Sequence, residues 1–560
     1  MERVVSGLVL HGCPIHVRTD TASVEALGIE GNHVLAAGTL AEVRAAMPGA
    51  EERVLADGAV LPAFVDPHQH AFLIAADPYV DVLHGAPDLT WLVDLVKRTA
   101  MADAEGGGWL RLHGYLPLDL AERRSPTAAE LDVVCPDRPV HVLSRTYHES
   151  SVNSAGLAAL GITAATPDPP GGAIVRDRRG RPTGVLIEAA SFAAEAVSRP
   201  AETDWPARLS AYGRRLTSAG IVAIGDAAVP AAAASAFVET LAAVAVDATP
   251  LLVGHTITSP ALVPGQVGKV LLDGGERCHF DLTPAQVRRM MWAVARVLLG
   301  PDAVEARAIS RATGAPKRSR DGHWHYGEVY AAGNRLPGLL REAAEAGSGL
   351  ALHAVGNGAV IALLEVLSRD KVLAGQVPVR IEHAMTVDAD LVRRLADLGA
   401  PVVVQPAFLR THTRQLTVMP VPAPLKVLPL RAFVDAGATL AFGSDYPAGD
   451  LSPWSAIAAS VTRSTGSRPA QLHSEEAITV SEAIEACTFA AASVLGRHDA
   501  GTLEPGMRAD LQWVDKDPFR ADPAELATTT TLATWSSGRL VHQHRRRSDP
   551  DSPHPRSRRG

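Results

Sequence analysis

Between residues 60 and 445, short apolar runs recur along the chain, and most end in a polar or ionisable residue. They occupy 60–66, 221–226, 250–254, 269–273, 349–353, 379–383, 401–405 and 439–445. Stretches with helical spacing lie between most of them, such as NRLPGLLREAAEA at 334–346, residues 359–369 and residues 389–398. Strands alternating with helices make a parallel sheet, and eight such units predict a closed (β/α)8 barrel. In that architecture the strand ends face the gathered loops and carry the chemistry. Here they carry His68 and His70, Asp226, Lys269, His353, His383 and Asp445.

About 150 residues separate the first of these strands from the second, far more than a βα connection needs. Residues 75–215 are therefore expected to hold a subdomain inserted over the barrel mouth. Within it PVHVLS (139–144) reads as a strand and GAIVRDRRGRPTG (172–184) as a hairpin turning at 177–180. Both chain ends are β-type. Residues 3–60 alternate short apolar pieces with Gly and Asp turns around one short helix at 40–46, and 499–543 return to the same texture. The late strands need a sheet to join and the early ones need partners. The expected organisation is a small β-sandwich built from 1–59 and 499–543, a barrel over 60–498, and a disordered tail over 544–560.

The first barrel strand delivers VLPAFVDPHQH. Side-chain direction alternates along an extended chain, so His68 and His70 can aim two imidazoles at one point. Two converging imidazoles suit a divalent metal such as zinc.

Composition narrows the class without choosing the chemistry. Apolar residues are 47% and charged residues 20%, the balance of a globular protein, and the net charge of −8 is spread along the chain. Nucleic acid is not an expected partner, and aromatics at 4% leave little for base stacking. Cys13, Cys135, Cys278 and Cys487 stand far apart with no CxxC, which fits a reducing compartment. No apolar run approaches the ~18 residues of a membrane span and no leader pattern is evident. The expectation is a cytoplasmic protein with a small-molecule substrate, no membrane partner, and a homodimer left open.

Several stretches together resemble the amidohydrolase superfamily: LPAFVDPHQH, LALHAVGN, RIEHAM, VVVQP, LAFGSDYP and GTLEPGMRADLQWVDKDP. The resemblance spans nearly the whole chain except the tail. YHESSVNSAGL and GGAIVRDRRGRPTGVLIE, with the pairing of HAVGN and RIEHA, are similar to the branch that contains N-substituted formamide deformylase. The resemblance implies a (β/α)8 TIM-type barrel with a sandwich from both termini, and one or two divalent ions, zinc above all. Its implied ligands are His68, His70, Lys269 as a carboxylated lysine, His353, His383 and Asp445. A plain lysine offers donors and no acceptor, whereas its carbamate has two anionic oxygens that can bridge two metals. A metal lowers the pKa of bound water from 15.7 to about 7. Asp445 can then act as general base and afterwards as general acid toward the leaving nitrogen.

Two departures stand out. The segment after GKVLLDG, CHFDLTPAQVRRMMWAVARVLLG, reads as a long helical insertion. Asn357 stands where the branch has Asp, which points to a supporting role in orientation. His148, in YHESSVNS, matches a histidine of the family's insert and is a candidate for substrate binding. A second HxH, His323 and His325, follows Arg320 and Asp321 and reads as a loop at the mouth. His141 reads as a structural strand residue. The function implied is metal-dependent hydrolysis of a non-peptide carbon–nitrogen bond in an amide or N-acyl group. The alternatives are hydrolysis of a cyclic amide, amidine or ester, and a barrel that binds a small molecule without turnover.

Overall fold

The computed structural model describes residues 7–544 except 104–105, 201–202, 255–258, 314–315, 328, 331–334, 419 and 467–470. The tail expected to be disordered lies outside the described residues from 545 onward. Eight parallel strands follow one another in chain order. They are β1 Phe64–Gln69, β2 Ile221–Pro230, β3 Asp247–Val253, β4 Val267–Leu271, β5 Gly349–Gly356, β6 Val379–Val387, β7 Val402–Val404 and β8 Leu440–Phe442. Each pairs with the next. The circle is nearly closed just beyond β8, where the Asp445 N–H donates to the His68 carbonyl (2.7 Å) and the His70 N–H to the Tyr446 carbonyl (3.0 Å). The Asp66 carboxylate adds a stitch, accepting from the Ser444 N–H (3.0 Å) and hydroxyl (2.6 Å). Gly443 makes the approach possible, since a Cβ there would lie 2.7 Å from that of His68.

The run at 60–66, expected to be one barrel strand, is two strands. Ala59–Pro62 pairs with Leu511–Val514 in a sheet of eight strands drawn from both chain ends, and β1 begins only at Phe64. Pro67 does not end β1. Three steps along β1, from Asp66 to Gln69, face two along β2, from Ile224 to Asp226. This bulge accommodates a residue with no N–H to give the ladder. Lys269, expected to open the fourth strand, is its third residue.

Val65, Ala223, Val403 and Ala441 pack in one cluster with Ala491, Ala492 and Ala500, while Leu350, Leu352 and Ile381 belong to the larger apolar core shared with the surrounding helices. The long connections leave the C-terminal ends of β1 and β4. No helix among the described residues is long and apolar enough to cross a membrane.

Two insertions rise from this end. The first carries a five-stranded sheet ordered Gly172–Arg176, Pro182–Glu188, Glu149–Val152, Val140–Ser144 and Leu110–Tyr115, with a core that includes Leu92, Leu112, Leu131 and Val142. The second follows β4. It contains the helices α1 Pro284–Leu298 and α2 Ala303–Thr313 and a three-stranded sheet of Phe280–Leu282, Trp324–Tyr326 and Lys317–Arg318. Thr283 and Gln286 form a capping box that starts α1. The loop expected to hold His323 and His325 therefore keeps only His323, just before the strand Trp324–Tyr326. His325 lies in the middle strand of this small sheet, stacked on His279 (5.5 Å), and His323 pairs with Asp281 (2.7 Å).

Candidate active site

Four strand ends bring the expected residues together. His68 is in the bulged end of β1, and His70 caps the helix that follows it. His353 is in β5, His383 in β6, and Asp445 lies three residues past β8. The ring centroids of His68 lie 5.6 Å from His70 and 5.0 Å from His383, and those of His353 and His383 are 4.4 Å apart. Asp445 Oδ1 is 3.0 Å from His70 Nε2 and 3.4 Å from His68 Nε2. Among the described residues, His68, His70 and Asp445 each offer a ligand atom within 4.8 Å of the others.

The groups that hold these rings in place are not among the residues nominated from sequence. His68 donates its Nδ1–H to Glu382 (2.5 Å), itself paired with Arg380, whose Nη2 reaches the Pro67 carbonyl at 2.8 Å. His383 donates its Nδ1–H to Gln405 (2.8 Å). Neighbouring strand residues ordinarily face opposite sides. Left-handed backbone at His383 (φ 76°) and Ala384 (φ 40°) breaks that alternation, so Glu382 and the His383 ring both meet His68. The motifs RIEHAM and VVVQP held the signal, in the polar Glu382 and Gln405 within otherwise apolar strands.

The electrostatics favour neutral rings at His353 and His383 beside an ionised carboxylate. Burial, aided by Lys269 and the neighbouring rings, lowers His353 well below its usual value and His383 to about 3. Burial opposes charge at Asp445 too, but His68 and His70 outweigh it and hold the carboxyl well below the usual range. At His68 burial is outweighed by Glu382 and Asp445, and its pKa is raised. The site's fit to a metal can be judged from its unsatisfied atoms. His353 Nε2, His383 Nε2 and His70 Nδ1 are buried with no hydrogen-bond partner, as is Lys269 Nζ. Buried polar atoms are normally satisfied. Open Nε2 atoms on His353 and His383, with the Nε2 atoms of His68 and His70 beside Asp445 and the Nδ1 atoms of His68 and His383 tied to side chains, fit a divalent ion of the zinc class. Lys269 is 2% exposed and burial lowers its amine to about 8.

His148 lines the same cavity. Its Nδ1 lies 2.7 Å from Glu188, and its ring centroid is 5.7 Å from that of His353. Glu188 also accepts from the Glu276 and Arg277 N–H groups (2.8 Å each), tying the two insertions together at this point. Asn357 does not reach the centre. Its side chain accepts from the Asp281 N–H (3.2 Å) and donates to the Asp281 carbonyl (2.7 Å). An aspartate could not make the second bond, which gives the asparagine a local reason: it docks the second insertion. Asp226, at the end of the predicted second strand, accepts from the Phe72 and Ala228 N–H groups and acts as a brace. His141 is buried against Ser198 in the first insertion's sheet, as a structural residue should be.

The geometry defines a class, a hydrolase-type barrel with a buried histidine–carboxylate centre at its C-terminal end. The amidohydrolase family profile matches residues 55–542. N-substituted formamide deformylase of Arthrobacter pascens is 30% identical over 542 residues, covering 93% of this chain and 95% of that protein. Among solved structures, an uncharacterized metal-dependent hydrolase from Pyrococcus horikoshii superposes with a TM-score of 0.64 at 20% identity, over 92% of this chain and 99% of that one. A second, from Pyrococcus furiosus, gives 0.62 at 23%, over 92% and 100%. These two likenesses bear on the fold. The chain belongs to the amidohydrolase family, and it is an enzyme of that hydrolase class.

Proposed function

We propose that the protein hydrolyses a non-peptide carbon–nitrogen bond, in an amide or N-acyl group of a small molecule. The observation that carries this reading is the cluster of His68, His70 and Asp445 at the strand ends, with His353 and His383 beside it keeping buried Nε2 atoms without a partner. His68, His70, His353, His383 and Asp445 would hold one or two zinc-class ions, which when bound polarise a carbonyl oxygen and make water acidic enough to attack at neutral pH. Asp445, ionised at neutral pH, accepts the proton of the attacking water and returns it to the leaving nitrogen. His148, held by Glu188, orients the substrate from the cavity wall. The N-substituted formamide deformylase relative makes N-formyl and other N-acyl amines the first compounds to test.

Lys269 completes the reading. A buried ammonium without an acceptor is unfavourable, and at about pH 8 its amine is half neutral. The neutral amine can add to carbon dioxide, releasing one proton and leaving a carbamate that would offer anionic oxygens to the ions. The test is elemental analysis of dialysed protein alongside amine release from a panel of N-acyl and N-formyl amines. At least one zinc-class ion per chain and amine release are expected. Activity in metal-free protein would overturn the metal role. Lys269→Ala should lose metal and turnover together, with partial return on adding a short carboxylic acid. Full metal and activity in that variant would exclude the carbamate.

A further inference from the structure

We propose that α1 and α2 form a subsite for an extended apolar substituent attached to the scissile amide. The inference rests on the amide-hydrolase reading of the centre and adds the class of group that the substrate carries. The cavity above the histidines has a volume of about 1010 Å³, at the top of the range of about 300–1,000 Å³ for sites that take drug-sized ligands. A formyl or acetyl group beside Asp445 leaves most of that space unfilled. Met290, Val294 and Leu298 recur at four-residue intervals on α1 and line the cavity, joined by Met291, by Ile309 of α2 and by Leu416 beyond β7. That spacing places one continuous apolar face of the helix toward the cavity. The helix's arginines, Arg288, Arg289 and Arg296, take no part in the lining.

The wall is preformed. Glu305 of α2, 7% exposed, accepts from Arg123 of the first insertion (2.9 Å) and from Arg414 beyond β7 (3.1 Å). Asn357 pins the other end through the Asp281 backbone. An apolar surface fixed in this way can bind without first being ordered. Its methionines adapt to alkyl and aryl shapes alike. Met291 both lines the cavity and is 64% exposed, so the subsite opens to solvent at that end and admits a chain longer than the cavity itself.

The substituent could sit on the amine side or on the acyl side of the amide, and two substrate series separate these. kcat/KM is measured for N-alkylformamides from ethyl to decyl and for N-methylalkanamides of matching length. In one series it should rise about three- to four-fold per added methylene until the chain emerges, and Val294→Asp should flatten the rise to under two-fold. Leu298→Ser, a milder change, should reduce it by less. The wild-type slope is decisive even if a variant fails to fold, and a flat wild-type slope in both series overturns the subsite. If neither series is hydrolysed, calorimetric binding of the same compounds decides. Affinity that climbs with chain length keeps the subsite and overturns the amide reading, whereas flat affinity overturns the subsite.

Discussion

At the floor of the cavity, His68 and His383 each have a ring nitrogen tied to a buried side chain, and Glu382, the partner of His68, is 0% exposed. Across from them, α1 leaves Met291 at 64% and Trp292 at 77% exposure and rests on a small core of Leu282, Val287 and Leu425. The floor is built on strands whose directions are set by the nearly closed ring of the barrel. The wall is built on an insertion whose ties include that small core, the Glu305 ion pairs, the Glu188 carboxylate and the Asn357 amide. Chemistry tolerates little misplacement of its groups, and so belongs on the rigid element. Recognition of an apolar group needs area and shape, which an insertion can supply and vary without touching the floor.

This contrast makes the two regions separable by mutation. The largest effect is expected for Asp445→Asn, which preserves size but removes the base. Turnover should fall about 10²- to 10⁴-fold with much of the substrate affinity retained. Near-normal turnover would remove Asp445 from the reaction. Glu382→Gln reaches the floor indirectly. Weakening the brace on His68 should reduce metal affinity about 10- to 100-fold, measurable by competition with a chelator, whereas unchanged affinity would mean that the pair only fills space.

Glu149, on the first insertion, tests the walls through pH. Burial and the neighbouring Glu276 raise its carboxyl from 4.5 to about 7, with Ser125 opposing. The folded value lies above the unfolded one, so the stability Glu149 contributes is complete below pH 4.5 and is lost as pH rises through 7. Glu149→Gln, neutral throughout, should gain on the wild type by roughly 1–3 kcal/mol across that window in denaturant titrations, with metal content unaltered. Parallel stability curves for the two proteins would show that Glu149 titrates normally. The smallest effect is expected for Glu305→Gln. Loosening the wall should raise KM a few-fold for long-chain amides and leave metal stoichiometry intact; loss of metal would mean that wall and floor are one unit after all.

Much of the floor is legible in the amino-acid sequence. Eight short apolar runs with helical stretches between most of them determine a parallel barrel, because strand length and helical spacing are properties of short stretches of chain. The same local periodicity puts His353, His383 and Asp445 near strand ends. The second insertion is legible as helix, yet which of its faces meets the cavity is not, since an amphipathic helix does not say what it packs against.

Only the tertiary structure decided how these pieces meet. Glu382 and His68 are 314 residues apart, and their contact depends on ring closure and on the left-handed turn at His383. The apolar run before the histidines divides between two sheets, because Ala59–Pro62 finds its partner in Leu511–Val514 at the other end of the chain. Asn357, in sequence only a departure, is explained by a backbone 76 residues away. Local sequence specifies where a side chain points along its own strand or helix. Which strands close the ring, and where a bulge or positive φ redirects a side chain, depends on contacts between distant segments, and these made a site of residues that the sequence could only nominate.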